Sequence, residues 1–358
     1  MKLPCITMLA TLLLTVPAAA QLQITPPAAT PSAPPEKQKS KPHALTKKKE
    51  AAPAPKPSAS PKPSPSPKPA ATVIPAPPTE NSNVDLVFGA YQRGQYKTAF
   101  DLATARAQAG DPKAMTMLGE LYSNAMGMRR DYAKAAEWYK RAADAGDREA
   151  MFALSMLRIS GRGGPIDKSE AVKLMASAAK LGEPRAAYNL ALLYLDGQTL
   201  PQDVKRSAEL LRLAADAGLP EAQYALATFY KEGTGVPKDP ERSVRLLQAA
   251  SLADNVDAEV EYAIAMFNGT GTPKNQPAAV ALLRKASRQG SAIAQNRLAW
   301  VLINGVGTSV DKVEGFKWHL VAKTAGKGDP ELDKQLSDLP AEDRAKAEAA
   351  ARKWLGTK

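Results

Sequence analysis

The feature that most constrains this sequence is a unit of 36 residues that recurs six times, without insertion or deletion, over residues 111–326. A fixed period of this length is typical of repeat proteins, in which each unit is one supersecondary element and stacking buries a continuous core. The period therefore decides the fold class, although it names neither a reaction nor a partner. The copies begin at Asp111, Asp147, Glu183, Leu219, Asn255 and Ser291.

The first part of each unit has the apolar spacing of a helix. Its fourth residue is always alanine, a larger apolar residue follows four positions later, and a small residue comes next. This spacing places the side chains on one helical face. A small residue beside a large one lets two helix axes approach closely. The alanine column consists of Ala114, Ala150, Ala186, Ala222, Ala258 and Ala294.

Punctuating residues divide each unit in two. Glycine follows the first helix in every copy except the first, which has Ala125. Glycine permits the positive φ that a helix C-terminus often requires. An N-capping residue then opens a second helix, which carries its own alanine column. Asp167 and Asp311 have glutamate three residues later, the spacing of a capping box. The caps are Asp131, Asp167, Asp203, Asp239, Asn275 and Asp311, and the alanines are Ala142, Ala178, Ala214, Ala250, Ala286 and Ala322.

These patterns predict an all-α protein. Its main part is a right-handed α-solenoid of stacked helix–turn–helix repeats over residues 111–326, preceded by a disordered segment rich in proline and lysine. Residues 84–110 have the pattern of a capping helix pair at the N-terminal end. Residues 327–358 depart from the repeat and predict C-terminal capping helices separated by Pro340.

The repeat motif resembles a known family. The pattern A-x-x-x-L-G-x-x-Y-x-x-G-x-G, followed by D-x-x-x-A-x-x-W-x-x-x-A-A-x-x-G, is similar to the Sel-1-like repeat, a relative of the tetratricopeptide repeat. The resemblance implies an α-solenoid that serves as a protein-interaction scaffold or adaptor, and in bacteria often an envelope protein. One subgroup has a disulfide in each repeat. Its properties are not transferred, because the repeats of this chain contain no cysteine.

The first residues predict export. Lys2 precedes an apolar run at residues 6–16, and three alanines end at Ala20, so residues 1–20 have the pattern of a cleavable signal peptide. We therefore expect a periplasmic or secreted protein with no membrane span after cleavage. The alternative is an uncleaved signal that anchors the chain in the inner membrane. The only cysteine, Cys5, lies within this segment.

Residues 21–83 have a different composition, with 17 prolines, nine lysines and three glutamates. Such a segment buries too little apolar surface to fold, so it predicts a disordered linker. One interpretation is a solvated spacer, and the other is a basic tether that contacts the cell wall or an acidic polymer. Nine lysines against three glutamates supply half of the chain's net charge of +12. The repeats are therefore only weakly basic, which argues against nucleic acid as a partner.

The sequence offers little catalytic chemistry. Of the two histidines, His43 lies in the linker and His319 lies in a second helix, where a packing or surface role is the simpler interpretation. Ser177 and Lys180 have the S-x-x-K spacing of penicillin-recognising enzymes, but the companion S-D-N and K-T-G motifs are absent. No zinc or calcium motif is present. We therefore expect no catalytic, cofactor or metal site, and a cell-wall hydrolase is not the favoured interpretation.

The candidate binding surface is a second apolar stripe along the first helices, at positions 6, 10 and 13 of the repeats. By analogy with tetratricopeptide repeats it would line the concave face and hold a segment of a partner protein. The alternative is that these side chains pack against neighbouring first helices. The predicted function is thus a non-enzymatic interaction scaffold or regulatory adaptor of the envelope, or alternatively a structural envelope protein with a wall-binding tail. The stripe consists of Phe152, Met156, Tyr188, Leu192, Tyr224, Ile264, Phe267 and Trp300.

Overall fold

The computed structural model describes residues 82–356, and within that range it contains sixteen α-helices and no strand. The predicted signal peptide lies outside the described residues, as does the predicted linker except for its last two residues. Helix α1 begins at Ser82 and so includes the last two residues of the expected linker. No helix in the described range is long and apolar enough to cross a membrane.

The helices come in pairs along the chain. The capping pair is α1 (Ser82–Gln92) and α2 (Tyr96–Gln108). The first and second helices of the six repeats are α3 (Pro112–Asn124) and α4 (Tyr132–Asp144), α5 (Arg148–Ser160) and α6 (Lys168–Lys180), α7 (Pro184–Asp196) and α8 (Val204–Asp216), α9 (Pro220–Glu232) and α10 (Pro240–Leu252), α11 (Val256–Asn268) and α12 (Gln276–Arg288), and α13 (Ala292–Asn304) and α14 (Lys312–Thr324). The chain continues with α15 (Pro330–Ser337) and α16 (Ala341–Gly356).

Each second helix packs on the first helix of its own repeat and on the first helix of the next repeat. This arrangement is the stacked helix–turn–helix solenoid that the period predicts. A single pair leaves one apolar side open, and the neighbouring pair covers it. At the C-terminal end α16 packs on α14 and covers the last repeat.

The two alanine columns form the seam between helices, and every member of both is at most 4% exposed. A third buried column lies at position 29 of the repeats, in the second helix and three residues before its alanine column. It includes Leu211 at 1% and Leu283 at 3% exposure, and burying one such side chain contributes about 2 kcal/mol. In the first repeat this position holds Tyr139. A Cβ on Gly119 would stand 2.5 Å from that ring, which explains glycine where other repeats have serine or alanine.

The helix ends follow the predicted pattern. Each of the six second-helix caps accepts a hydrogen bond from the backbone N–H three residues later, at 2.8 to 3.1 Å. Ala125 takes the left-handed conformation that glycine takes in the other repeats, with φ of 57°. The capping boxes are only half formed. Glu170 pairs with Arg158 at 2.7 Å, and Glu314 pairs with Arg284 at 2.7 Å, because these arginines offer each carboxylate a stronger partner.

The second loop glycine is required by close approach between repeats. A Cβ on Gly163 would overlap the carbonyl oxygen of Tyr132, at the start of the preceding second helix. A Cβ on Gly235 would stand 2.6 Å from the carbonyl oxygen of Val204 in the same relation. Both glycines have positive φ, so a side chain there meets backbone strain and overlap together.

His319 occupies the position-29 column in the last repeat and is fully buried, which confirms the packing interpretation. Its Nε2 lies 2.8 Å from Asp333 on α15, and Asp333 also pairs with Lys323 at 2.7 Å. Trp318 is covered by Trp354 of α16, with ring centroids 5.1 Å apart. The last repeat is therefore closed by these polar and aromatic contacts together with buried apolar side chains of α15 and α16, such as Leu332 and Ala347.

Candidate partner-binding face

The eight predicted stripe residues lie on five consecutive first helices, α5, α7, α9, α11 and α13, and are called here the first-helix face. Seven of them are half-buried, while Leu192 is 8% exposed. A half-buried side chain both packs against its neighbours and keeps part of its surface open. Half-burial is compatible with both interpretations of the stripe, so partner binding on this face stays a prediction.

The face consists of three stretches that rest on different parts of the core. Phe152, Met156 and Tyr188 pack against the cluster formed by the second, third and fourth repeats. Tyr224 packs against a separate small cluster around Leu247. The members on α11 and α13 pack against the large cluster of the C-terminal repeats. Tyr188 and Tyr224 therefore lie on either side of the boundary between two core clusters, and the part of the face around these two residues is called here the central stretch.

Cations beside the face are held by carboxylates or by its aromatic rings. Arg185 bonds Glu183 at 2.7 Å and lies over the ring of Phe152, 5.1 Å from its centroid. Lys231 on α9 pairs with Glu261 on α11 at 2.8 Å. The Arg185–Phe152 contact joins α7 to α5, and the Lys231–Glu261 pair joins α9 to α11.

Several carboxylates beside the central stretch lack such a partner. Glu221, Glu232 and Asp257 are exposed, and within residues 82–356 no lysine or arginine lies at ion-pair distance from them. Their charge acts on the two tyrosines. Burial raises the pKa of Tyr224 to about 12, and Glu261, Asp257 and Glu232 add to the rise. Burial and then Glu221 raise the pKa of Tyr188. Both phenols therefore keep their protons at neutral pH.

The sequence-based stripe did not include these acids, which are the main chemical feature of the site that it missed. Glu221 and Asp257 stand at position 3 of their repeats, one helical turn before the stripe position held by Tyr224 and Val260. A helical spacing of three residues places two positions on one face. The three-residue spacing therefore indicated that these acids lie beside the stripe. It did not indicate which of the surrounding charges form ion pairs.

The other candidates do not assemble into a reactive site. Ser177 and Lys180 are both exposed on the surface of α6. A shallow cleft of about 460 Å³ lies beside α10, between Arg245, Gln248 and Tyr262. No group of three or more histidine, cysteine or acidic residues in the described range is placed to hold a metal ion.

Comparison with known proteins agrees with this architecture. The family model described as the Sel1 repeat matches six consecutive segments, residues 112–147, 148–183, 184–219, 220–255, 256–291 and 292–327. Each match begins one residue after the corresponding repeat start read from the sequence. Among curated proteins, none matches the chain.

Two crystal structures are similar over most of the chain. One is c5321, a protective antigen of uropathogenic Escherichia coli strains displaying an SLR fold, which is 26% identical with a TM-score of 0.66. That match covers 76% of this chain and 60% of the antigen. The other is a Sel1 repeat protein from Oxalobacter formigenes, also 26% identical, with a TM-score of 0.61. It covers 68% of this chain and 99% of that protein.

Proposed function

Because the chain belongs to the Sel1 repeat family, we propose that it is a non-enzymatic adaptor that holds a segment of a partner protein on its first-helix face. Sel1 repeat proteins are generally scaffolds for protein–protein interaction. The observation that supports this particular face is its combination of a constant buried seam below and a varied, half-buried aromatic and aliphatic stripe above.

The stripe has the properties of an interface. Aromatic side chains that are anchored on one side and open on the other contribute strongly to binding, because they bury a large area with little loss of rotamer freedom. Phe152, Tyr188, Tyr224 and Trp300 are of this kind, each half-buried against the core. Their alignment along successive first helices suits an extended or helical segment that crosses several repeats.

The proposed location is the bacterial envelope, which rests on the signal-peptide pattern of residues 1–20. A second candidate function is favoured by the composition of residues 21–81, whose lysines would attract acidic wall polymers. In that case the chain is a structural envelope protein, and the repeats recruit partners to the wall. Envelope fractionation with and without residues 21–81 separates the two. Wall association that survives the deletion contradicts the tether.

The adaptor proposal is tested by replacing Tyr188 and Tyr224 together with alanine in the full chain. Tyr194 and Tyr230, on the same two helices at position 12, provide a matched control pair of the same residue type. We expect the face variant to lose capture of envelope partners, as measured by crosslinking and mass spectrometry, with unchanged helix content. Equal capture by both double variants would contradict a role for this face.

A further inference from the structure

The central stretch of the first-helix face has an excess of uncompensated negative charge. Glu221, Glu232 and Asp257 extend from α9 and the start of α11, are exposed, and have no cation at ion-pair distance in the part of the chain that the structure describes. The nearby cations are engaged, since Arg185 is held by Glu183 and Phe152 while Lys231 is held by Glu261.

The same stretch presents two phenol rings. Tyr188 and Tyr224 occupy position 6 of adjacent repeats, are half-buried, and rest on two different core clusters. The two rings lie on successive first helices, α7 and α9, both of which pack on the same second helix, α8. A lysine or arginine side chain packs its methylene groups against such a ring and places its charge beside a carboxylate at the rim.

We propose that the central stretch selects a basic segment of a partner protein, with lysine or arginine side chains that lie across Tyr188 and Tyr224 and pair with Glu221, Glu232 and Asp257. This inference rests on the proposed function and specifies the partner's chemistry. Complementary charge at an interface sets selectivity and association rate more than total affinity. An acidic segment or a nucleic acid would be repelled by the same carboxylates.

The test measures fluorescence anisotropy of labelled 15-residue peptides that carry lysine, glutamine or glutamate at every third position on one alanine–leucine background. We expect the full chain to bind the lysine peptide most tightly, and rising salt to weaken that binding. The glutamate peptide should bind least. Preference for the glutamate or glutamine peptide, or no binding to any of the three, would overturn the proposal.

A charge-matched pair of variants locates the effect. The face variant combines Glu221→Gln, Glu232→Gln and Asp257→Asn. The control combines Asp101→Asn, Glu137→Gln and Asp216→Asn, which are exposed acids on second helices or the capping pair. Both change the net charge equally. We expect the face variant to bind the lysine peptide about tenfold more weakly, because each rim charge contributes modestly, and the control to bind like the parent. Equal loss in both variants would assign the effect to overall charge and overturn the proposal.

Two further results separate this inference from the adaptor function. Loss of envelope capture with Tyr188→Ala and Tyr224→Ala, but unchanged lysine-peptide binding in the charge variant, would keep the adaptor and overturn the basic partner. Concentration-dependent self-association that disappears in the charge variant would assign the face to a second copy of this chain, and would also overturn it. All variants are compared by circular dichroism, where we expect unchanged helix content, and the two charge variants also by thermal melting, where we expect no change.

Discussion

The seam lies on both helices of every repeat and the first-helix face on first helices alone, and the two regions differ in how constant their residues are. The seam carries alanine at two positions in all six repeats, each at most 4% exposed. Position 6, which supplies three residues of the face, holds threonine, phenylalanine, tyrosine, tyrosine, valine and asparagine in turn. Identical contacts between neighbours make the stack regular, whereas varied side chains give each repeat its own surface chemistry. The constant positions therefore carry stability, and we propose that the variable positions carry selectivity.

The largest effect is expected in the seam. Ala214 is fully buried, so Ala214→Glu places an unpaired charge between packed helices and should cost about 3–5 kcal/mol of unfolding free energy. Urea unfolding measures it. The neighbouring Leu213 is 57% exposed, and Leu213→Glu should change the same quantity by less than about 0.5 kcal/mol. Similar values for the two variants would show that the assigned helix face is wrong.

The loop glycines separate close approach from backbone conformation. Gly235→Ala meets both positive φ and the carbonyl oxygen of Val204, whereas Gly218→Ala meets positive φ with open space around the Cβ. We expect losses of about 3 and about 1 kcal/mol in unfolding free energy. Calorimetry of the two variants measures the difference. A Gly218→Ala variant as unstable as Gly235→Ala would mean that repeat-to-repeat contact at the loops contributes nothing.

Glu259 interrupts the regularity below the face. It is fully buried, its Oε2 lies 2.9 Å from the Nζ of Lys285 in an ion pair, and neither carboxylate oxygen makes a hydrogen bond of good geometry within the described residues. Glutamine at the same position of the next repeat, Gln295, donates to the carbonyl oxygen of Ser287 at 3.1 Å. Glu259→Gln can make the equivalent bond, so we expect a gain of about 1 kcal/mol. Chemical denaturation that shows a loss instead would mean that the Lys285 ion pair outweighs the unpaired oxygen.

The smallest effect concerns the C-terminal end and depends on pH. Hydrogen bonds from Lys323 and then His319 hold the pKa of the Asp333 carboxyl below its ordinary value of 3.8. The ionised carboxylate therefore stabilises the fold above about pH 4, and this contribution is lost as the pH falls through the lower, folded-state pKa. Asp333→Asn should be less stable than the parent at pH 6, and the gap should narrow below pH 4. A stability difference that stays constant with pH would contradict a stabilising role for the ionised Asp333 carboxylate.

Much of the fold is readable from the sequence, because the period, the caps and the alanine columns are local patterns. The second-helix caps and the packed His319 were predicted and are confirmed, whereas the left-handed conformation of Ala125, where the other repeats have glycine, was not predicted. The capping boxes were half wrong, because Glu170 and Glu314 pair with arginines 12 and 30 residues away. Such partners depend on how closely neighbouring repeats approach, which the period does not state.

The candidate site was readable only in part. The stripe positions follow from helical spacing, but how much of Leu192 or Tyr224 stays open depends on the neighbouring side chains. The Lys231–Glu261 pair joins residues 30 positions apart, so no local pattern indicates it. The contact between His319 and Asp333 crosses into helices that depart from the repeat. Their geometry therefore could not be inferred from the six copies.

The central claim, that partners bind through the first-helix face, is tested most directly by site-specific photo-crosslinking in cells. A benzoylphenylalanine residue replaces Tyr224 on the face or, in a second strain, the exposed Leu213 on the second helix α8. We expect a covalent adduct with a partner protein from the Tyr224 position and none from the Leu213 position. An adduct from Leu213 with none from Tyr224 would contradict it.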